Sequence, residues 1–218
     1  MTTEKLITLS AASTTVAEAF RALRTNLIYN DIDEKLCTLL VTMPAPESDA
    51  GSKATLVANL AVTMAQSGRR TLLVDCDLRH PQQHEIWGIP NDRGLSGVLS
   101  SGDEVRAAEV GVEHLSVLAA GPRPDNPADL LGSRQMEDLI EQLKGQADFV
   151  LFDAPPVLAV TDAALLAAHM DGVMLVLNTG QTRRDHAERA RELLERVRAR
   201  VIGAVLNNAP VDTSISSY

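Results

Sequence analysis

Two aspartates spaced i, i+2 and an arginine two residues further on, Asp75, Asp77 and Arg79, are the residues of this 218-residue chain whose types and spacing most directly suggest chemistry. They close the run TLLVDCDLR (71–79), whose first four residues are β-branched or aliphatic. An unbroken apolar run of this kind predicts a strand buried on both faces, the habit of parallel sheets. On a strand, residues i and i+2 point the same way, so both carboxylates leave the strand's carboxyl end together. Open α/β sheets bind ligands along that edge. Two carboxylates there suit a hard cation such as Mg2+, held by one or two carboxylates together with phosphate oxygens and water. The bland alternative is a solvated strand end with an aspartate that caps a helix.

A second strand end has the same form. The run FVLFD (149–153) ends in Asp153 and is followed at once by Ala154, Pro155 and Pro156. An apolar strand ending in Asp is the form of the acidic element of P-loop nucleotidases, whose carboxylate holds Mg2+ or its water. Another apolar run, 36–43, leads into the loop PAPESDAGSKAT (44–55), after which Leu56, Leu60 and Met64 recur on helical turns up to Gly68. Strand, Gly- and Lys-containing loop, helix is the plan of a phosphate-binding loop, where helix N-terminal N–H groups and a lysine meet the phosphates. Against the pattern G-x-x-x-x-G-K-[ST], the glycine slots hold Glu47 and Ser52, and the Mg2+-ligand slot holds Ala54. Only Gly51, Lys53 and Thr55 have the right chemistry. Glu47 and Asp49 also bring negative charge to the place where phosphates would lie.

The elements that must position these groups alternate along the chain. Val16, Phe20, Leu23, Leu27 and Ile28 recur at helical spacing, and Glu18, Arg21 and Arg24, spaced by three, form one polar stripe on that helix. The stripe is either a solvated face with one Glu–Arg pair or an edge that reaches a neighbouring subunit; spacing does not choose. Helical periodicity also covers 129–143, 162–169 and 183–198, and strands are predicted at 115–119, 172–177 and 201–206, the last leading into Asn207. This alternation predicts an α/β fold: a doubly wound, mainly parallel sheet with helices on both faces. Residues 1–14 read as a flexible leader, 15–210 as a single domain, and 211–218 as a flexible polar tail ending on Tyr218.

Composition sets the compartment. The hydrophobic fraction is 45% with only 3% aromatic, so Ala, Val and Leu must do most of the packing. A net charge of −9 argues against nucleic acid as a partner, because phosphate backbones are met with clustered Lys and Arg. Cys37 and Cys76 lie in apolar contexts that suit reduced thiols rather than a disulfide. No apolar run is long enough to span a bilayer, and the N-terminus lacks the apolar core of a signal peptide. The expectation is a soluble, cytoplasmic protein with no membrane insertion of its own.

With these pieces placed, the chain resembles the bacterial tyrosine kinases (BY-kinases) of capsule and exopolysaccharide assembly, within the MinD/ParA-like class of P-loop proteins. The segment LLVDCDLRHP (72–81) matches the family's second Walker motif, and FVLFDAPP (149–156) matches its Walker B segment. Glu18-x-x-Arg21-x-x-Arg24 matches its oligomerisation motif, within an N-terminal helix expected over 15–35. The segments AAGPRPDNPADLL (119–131) and GAVLN (203–207) are similar to further signatures. The resemblance implies phosphoryl transfer from ATP to a tyrosine hydroxyl in a ring-like homo-oligomer. Lys53 would contact the β- and γ-phosphates and Thr55 the α-phosphate, with Gly51, Ser52 and Ala54 completing the loop. Asp77 and Asp153 would hold Mg2+, Asp75 would accept the tyrosine proton, Arg79 would meet substrate or phosphates, and Asn207 would lie near the adenine. Tyr218 would be the phosphoacceptor. The resemblance also implies a membrane polysaccharide co-polymerase as activator in trans, with recruitment to the inner face of the cell membrane.

Two departures from the family accompany these matches. The phosphate loop is about three residues longer than usual, lacks the glycine before the lysine and carries Ala54 in place of the Mg2+-binding serine. The C-terminal tyrosine cluster shrinks to Tyr218, the only other tyrosine being Tyr29. Both losses fall on one activity. They leave open a weakened autokinase and a pseudokinase that serves as an oligomeric regulatory scaffold. A MinD/ParA-like positioning ATPase is disfavoured, since no second lysine occurs between Met43 and Ser52.

Overall fold

The computed structural model describes residues 6–11, 13–29, 36–47 and 50–210. The elements run α1 (Ile7–Ser10), α2 (Thr15–Tyr29), β1 (Thr38–Thr42), α3 (Ala50–Ala65), β2 (Thr71–Asp75), α4 (Gln83–Trp87), α5 (Leu95–Ser101), β3 (Ala108–Glu109), β4 (Leu115–Leu118), α6 (Pro127–Leu131), α7 (Arg134–Gln146), β5 (Phe149–Asp153), α8 (Asp162–Ala167), β6 (Gly172–Asn178), α9 (Arg184–Arg196) and β7 (Val201–Asn207). The strands form one seven-stranded sheet in the order β3-β4-β2-β5-β1-β6-β7, parallel throughout except for β3 against β4. This is the doubly wound α/β sheet that the alternation predicts.

The apolar runs become strands because each has a face to bury on both sides. Every residue of β1, β2 and β5 is buried. Leu39, Val41, Leu73, Leu151 and Met174 pack on one face with Val57, Leu60 and Met64 of α3. Their neighbours Leu40, Leu72, Val74, Phe152 and Leu175 pack on the other with Leu139 and Leu143 of α7, Leu166 of α8 and Leu194 of α9. The chain leaves β1 across β5 to reach β2, and leaves β5 across β1 to reach β6. The carboxyl ends of β1 and β5 therefore bound the crevice where a doubly wound sheet binds its ligand.

Residues 6–11 depart from the flexible leader expected over 1–14. Leu6 is fully buried, and Thr8 donates from N and Oγ1 to Asn59 Oδ1 at 3.1 and 2.9 Å, docking α1 onto α3. The short helices α4, α5 and α6, of five to seven residues, and the two-residue β3 leave no periodic trace in the sequence, being too short to repeat a pattern. The expected tail 211–218 with Tyr218, and residues 30–35 of the expected N-terminal helix, lie outside the described residues; α2 ends at Tyr29.

Candidate functional site

Strand register brings the acidic groups together. Asp75 stands opposite Asp153 across the β2–β5 ladder, and Val41 stands opposite Asp153 across β1–β5. Because β1 feeds directly into the loop before α3, Lys53 in the first turns of that helix arrives at the same edge. Lys53, Asp77, Arg79 and Asp153 line one cleft of about 200 Å³. Asp75 reaches this edge but has no exposed surface and does not line the cleft.

The cleft is internally satisfied. Lys53, 4% exposed, forms an ion pair with Asp153 Oδ1 and donates to the carbonyl of Ala154. The second oxygen of Asp153 accepts from Gln83 Nε2 at 2.7 Å. The same amide nitrogen donates to the carbonyl of Ala54 at 3.1 Å, while Gln83 Oε1 accepts from Trp87 Nε1 at 3.2 Å. Gln83 is fully buried, so this one side chain ties α4 to β5 and to the start of α3. Sequence inspection does not single it out: a glutamine two residues beyond a proline carries no motif.

Asp75 is in part what the bland alternative describes. Its Oδ2 accepts from the N–H groups of Gln82 and Gln83, both at 3.0 Å, capping the first turn of α4, and its Oδ1 accepts from Asp77 N at 3.2 Å. It is a capping carboxylate, though a buried one. Burial above all, then the charge of Asp153, pushes its pKa up to about 7, against the backbone N–H groups and Lys53, which favour the ionised form. Burial likewise raises Asp77, whose Oδ1 accepts from His80 N at 2.9 Å. Cys76 between them is fully buried, and its thiol is raised well above the ordinary range.

Arg79 is committed to a carboxylate of the protein. It donates from Nε and Nη2 to Oδ2 and Oδ1 of Asp162 at 2.8 and 3.0 Å, a bidentate pair. The expectation that Arg79 meets substrate or phosphates therefore acquires a prior partner. Asp162 carries no motif of its own; its only sequence trace is its place at the start of a predicted helix.

At the far end of the same edge, Asn207 closes β7 and donates from Nδ2 to Asn178 Oδ1 at 2.8 Å. Asn178, at the end of β6, donates to Glu47, and Thr182 donates to the other oxygen of that carboxylate. The negative charge that the sequence sets among the phosphates thus points, at Glu47, to the end of β6. Asn178 was findable: it ends an apolar strand in a polar side chain, as Asp75 and Asp153 do.

The donor set fits a hydrated Mg2+ only in part. Asp77 and Asp153 both line the cleft, and two carboxylates with phosphate and water suffice for this ion. Residue 54 offers a buried methyl group where an oxygen would serve, and Thr55 is half-buried beside it. Gly51 and Ser52 lie in the first turn of α3. On α2, Glu18 and Arg21 form an ion pair on the surface, whereas Arg24 donates from Nη1 to the carbonyl of Thr63 on α3 at 3.2 Å. A separate groove of about 280 Å³ lies between α2 and β7, lined by Leu27 and Ile202 and by none of the carboxylates.

The family model described as ParA, NUBPL iron-transfer P-loop NTPase, matches residues 51–214. Tyrosine-protein kinase YwqD of Bacillus subtilis is 38% identical over 193 residues, 88% of this chain and 80% of that protein. The crystal structure of the chimerical protein CapA2B2 superposes with a TM-score of 0.89 at 36% identity, covering 94% of this chain and 90% of that one. The septum site-determining protein MinD of Pyrococcus horikoshii shares the fold, with a TM-score of 0.64 at 22% identity, covering 78% of this chain and 69% of that one. The fold is that of a ParA-like P-loop NTPase. Within that class, the chain belongs to the bacterial tyrosine-protein kinase family.

Proposed function

We propose that this chain is a cytoplasmic ATP-dependent tyrosine autokinase of capsule or exopolysaccharide synthesis and export, slowed by its altered phosphate loop. The observation that carries the reading is the convergence of Lys53, Asp77 and Asp153 on one cleft at the carboxyl edge of the sheet. In the working state Lys53 exchanges Asp153 for the β- and γ-phosphates, and the first-turn N–H groups of α3 receive the phosphate oxygens, joined by Thr55. Asp77 and Asp153 hold Mg2+ and its waters. The ion, when bound, neutralises charge on the transferring phosphoryl group.

The tyrosine proton goes to Asp75, whose elevated pKa suits a general base near neutral pH. For that carboxylate to reach a substrate, the first turn of α4 must release its hydrogen bonds. Arg79, held by Asp162, contributes a fixed positive charge to the cleft wall. Tyr218 is the acceptor, presented by one subunit of a homo-oligomeric ring to the next, with Glu18, Arg21 and Arg24 at the contact. In this reading the activator is a membrane polysaccharide co-polymerase that acts in trans and recruits the chain to the inner membrane face; among the described residues no helix is long and apolar enough to cross a membrane.

A second reading, a pseudokinase scaffold, is favoured by Ala54 and by a Lys53–Asp153 pair that closes the cleft on itself. Incubation of the purified protein with γ-labelled ATP and Mg2+ decides between them. Slow labelling that Tyr218→Phe abolishes supports the kinase; no labelling with or without an activating partner supports the scaffold.

A further inference from the structure

One residue serves both carboxylates that face each other across the β2–β5 ladder. The backbone N–H of Gln83 donates to Asp75 Oδ2 at 3.0 Å, and its side-chain Nε2 donates to Asp153 Oδ2 at 2.7 Å. Three partners fix the orientation of that side-chain amide. The Asp153 carboxylate and the Ala54 carbonyl only accept, so both face Nε2; the Trp87 indole N–H only donates, so it faces Oε1. Turning the amide over would set two acceptors against Oε1 and a donor against Nε2, in a site with no exposed surface. Gln83 is therefore held in one orientation with its hydrogen-bonding groups in use.

The consequence falls on Asp153. Gln83 engages its Oδ2 and Lys53 its Oδ1. Lys53 lines the cleft and Gln83 does not, so the two oxygens are not equivalent. Oδ2 is anchored in the protein, whereas Oδ1 is released when the lysine moves. We propose that Gln83 is a positioning residue that holds Asp153 by Oδ2, so that Oδ1 alone is offered to a cation or its water once Lys53 turns to a phosphate. The proposal rests on the nucleotide-binding reading above and deepens it by naming what aims the carboxylate. The bonds that run from Lys53 through Asp153 and Gln83 end on Trp87, the only tryptophan of the chain, which is buried in the core on the α3 face of the sheet. Hydrogen bonds in such a chain polarise one another, so Trp87 emission reports the state of the cleft from behind it.

The test has two arms on the full chain. The first needs no nucleotide: Trp87 emission is recorded for the unmodified protein, Lys53→Met, Gln83→Met and the double variant. Methionine at position 83 fills similar space and donates nothing. Lys53→Met should shift the emission when Gln83 is present and leave it unmoved in the Gln83→Met background. An equal shift in both backgrounds, or none in either, would overturn the relay. The second arm measures dissociation constants of ATP with and without Mg2+ by calorimetry at high protein concentration. Partners that orient a metal-binding carboxylate are worth about ten- to a hundredfold in metal affinity. Gln83→Met should therefore lose about tenfold or more of the Mg2+ enhancement, with Mg2+-free affinity kept within about twofold. Trp87→Phe leaves both partners of Nε2 in place and should keep the enhancement within about threefold. Equal weakening with and without Mg2+ in Gln83→Met, or the same loss of enhancement in Trp87→Phe, would reduce Gln83 to a fastening of α4. An unmodified protein whose ATP affinity ignores Mg2+ would also overturn the proposal. Binding of no ATP under either condition would overturn the nucleotide reading, while the emission arm still decides the relay.

Discussion

Arg79 and Asp162 are joined as a bidentate pair at 2.8 and 3.0 Å, with the Asp162 side chain fully buried and that of Arg79 27% exposed. The pair links the segment after β2 to the start of α8, so the cleft wall and the helix behind it move together. Arg79→Ala leaves an uncompensated buried carboxylate and should cost about 3 kcal/mol in urea unfolding. Adding Asp162→Leu removes that charge and should recover most of the loss. A single variant as stable as the parent would show that the pair holds nothing together.

Asp75 gives the protein a pH signature. Its folded pKa of about 7 lies above the 3.8 of an ordinary aspartate, so between these values the folded state binds a proton that the unfolded chain has lost. Stability contributed by this group is therefore present at low pH and lost as pH rises through that window, on the order of a few kcal/mol in all. Urea unfolding at pH 5.5 and pH 8 should show the parent losing more stability on alkalinisation than Asp75→Asn. Identical pH slopes would mean that Asp75 stays ionised throughout.

The helix α2 carries the assembly prediction. Arg24 is partly spent on the carbonyl of Thr63, so replacing it would loosen α2 from α3 as well as disturb a subunit contact. Glu18→Ala with Arg21→Ala is the cleaner test, because that pair lies on the exposed face of the helix. Light scattering should show a lower oligomeric mass for the double variant. A parent that stays monomeric at all concentrations, with or without a co-polymerase partner, would contradict the ring.

Much of the fold was legible because long buried strands write continuous apolar runs. Leu72, Leu73 and Val74 ending in Asp75, and Phe149 to Phe152 ending in Asp153, predict both the strands and the edge where the carboxylates emerge. What stayed hidden depends on tertiary contact. Gln83 acquires meaning only when α4 lays it between Asp153 and Ala54, and Asp162 only when its helix start meets Arg79. Thr8 looks like part of a polar leader until Asn59, in the middle of α3, offers it a partner, and Leu6 is buried beside it. Glu47 was read by its place in the loop as a repulsive charge, but its direction is set by Asn178 and Thr182, more than a hundred residues away in sequence.

The phosphate loop decides the central claim, a kinase site that has kept its lysine and carboxylates and lost part of its grip on Mg-ATP. On this proposal Ala54 offers Mg2+ no oxygen where the pattern G-x-x-x-x-G-K-[ST] places a hydroxyl, and the chain carries serine rather than glycine before the lysine. Lys53 must also leave Asp153 before it can meet a nucleotide. Each penalty is on the order of one to a few kcal/mol, against the roughly 8 kcal/mol that micromolar binding represents. The direct measurement is calorimetric titration with Mg-ATP of the unmodified protein and of Ser52→Gly with Ala54→Ser. The account predicts binding weaker than micromolar for the former and an affinity about tenfold or more higher for the latter. Micromolar Mg-ATP binding by the unmodified protein, with rapid phosphate transfer to Tyr218, would contradict it.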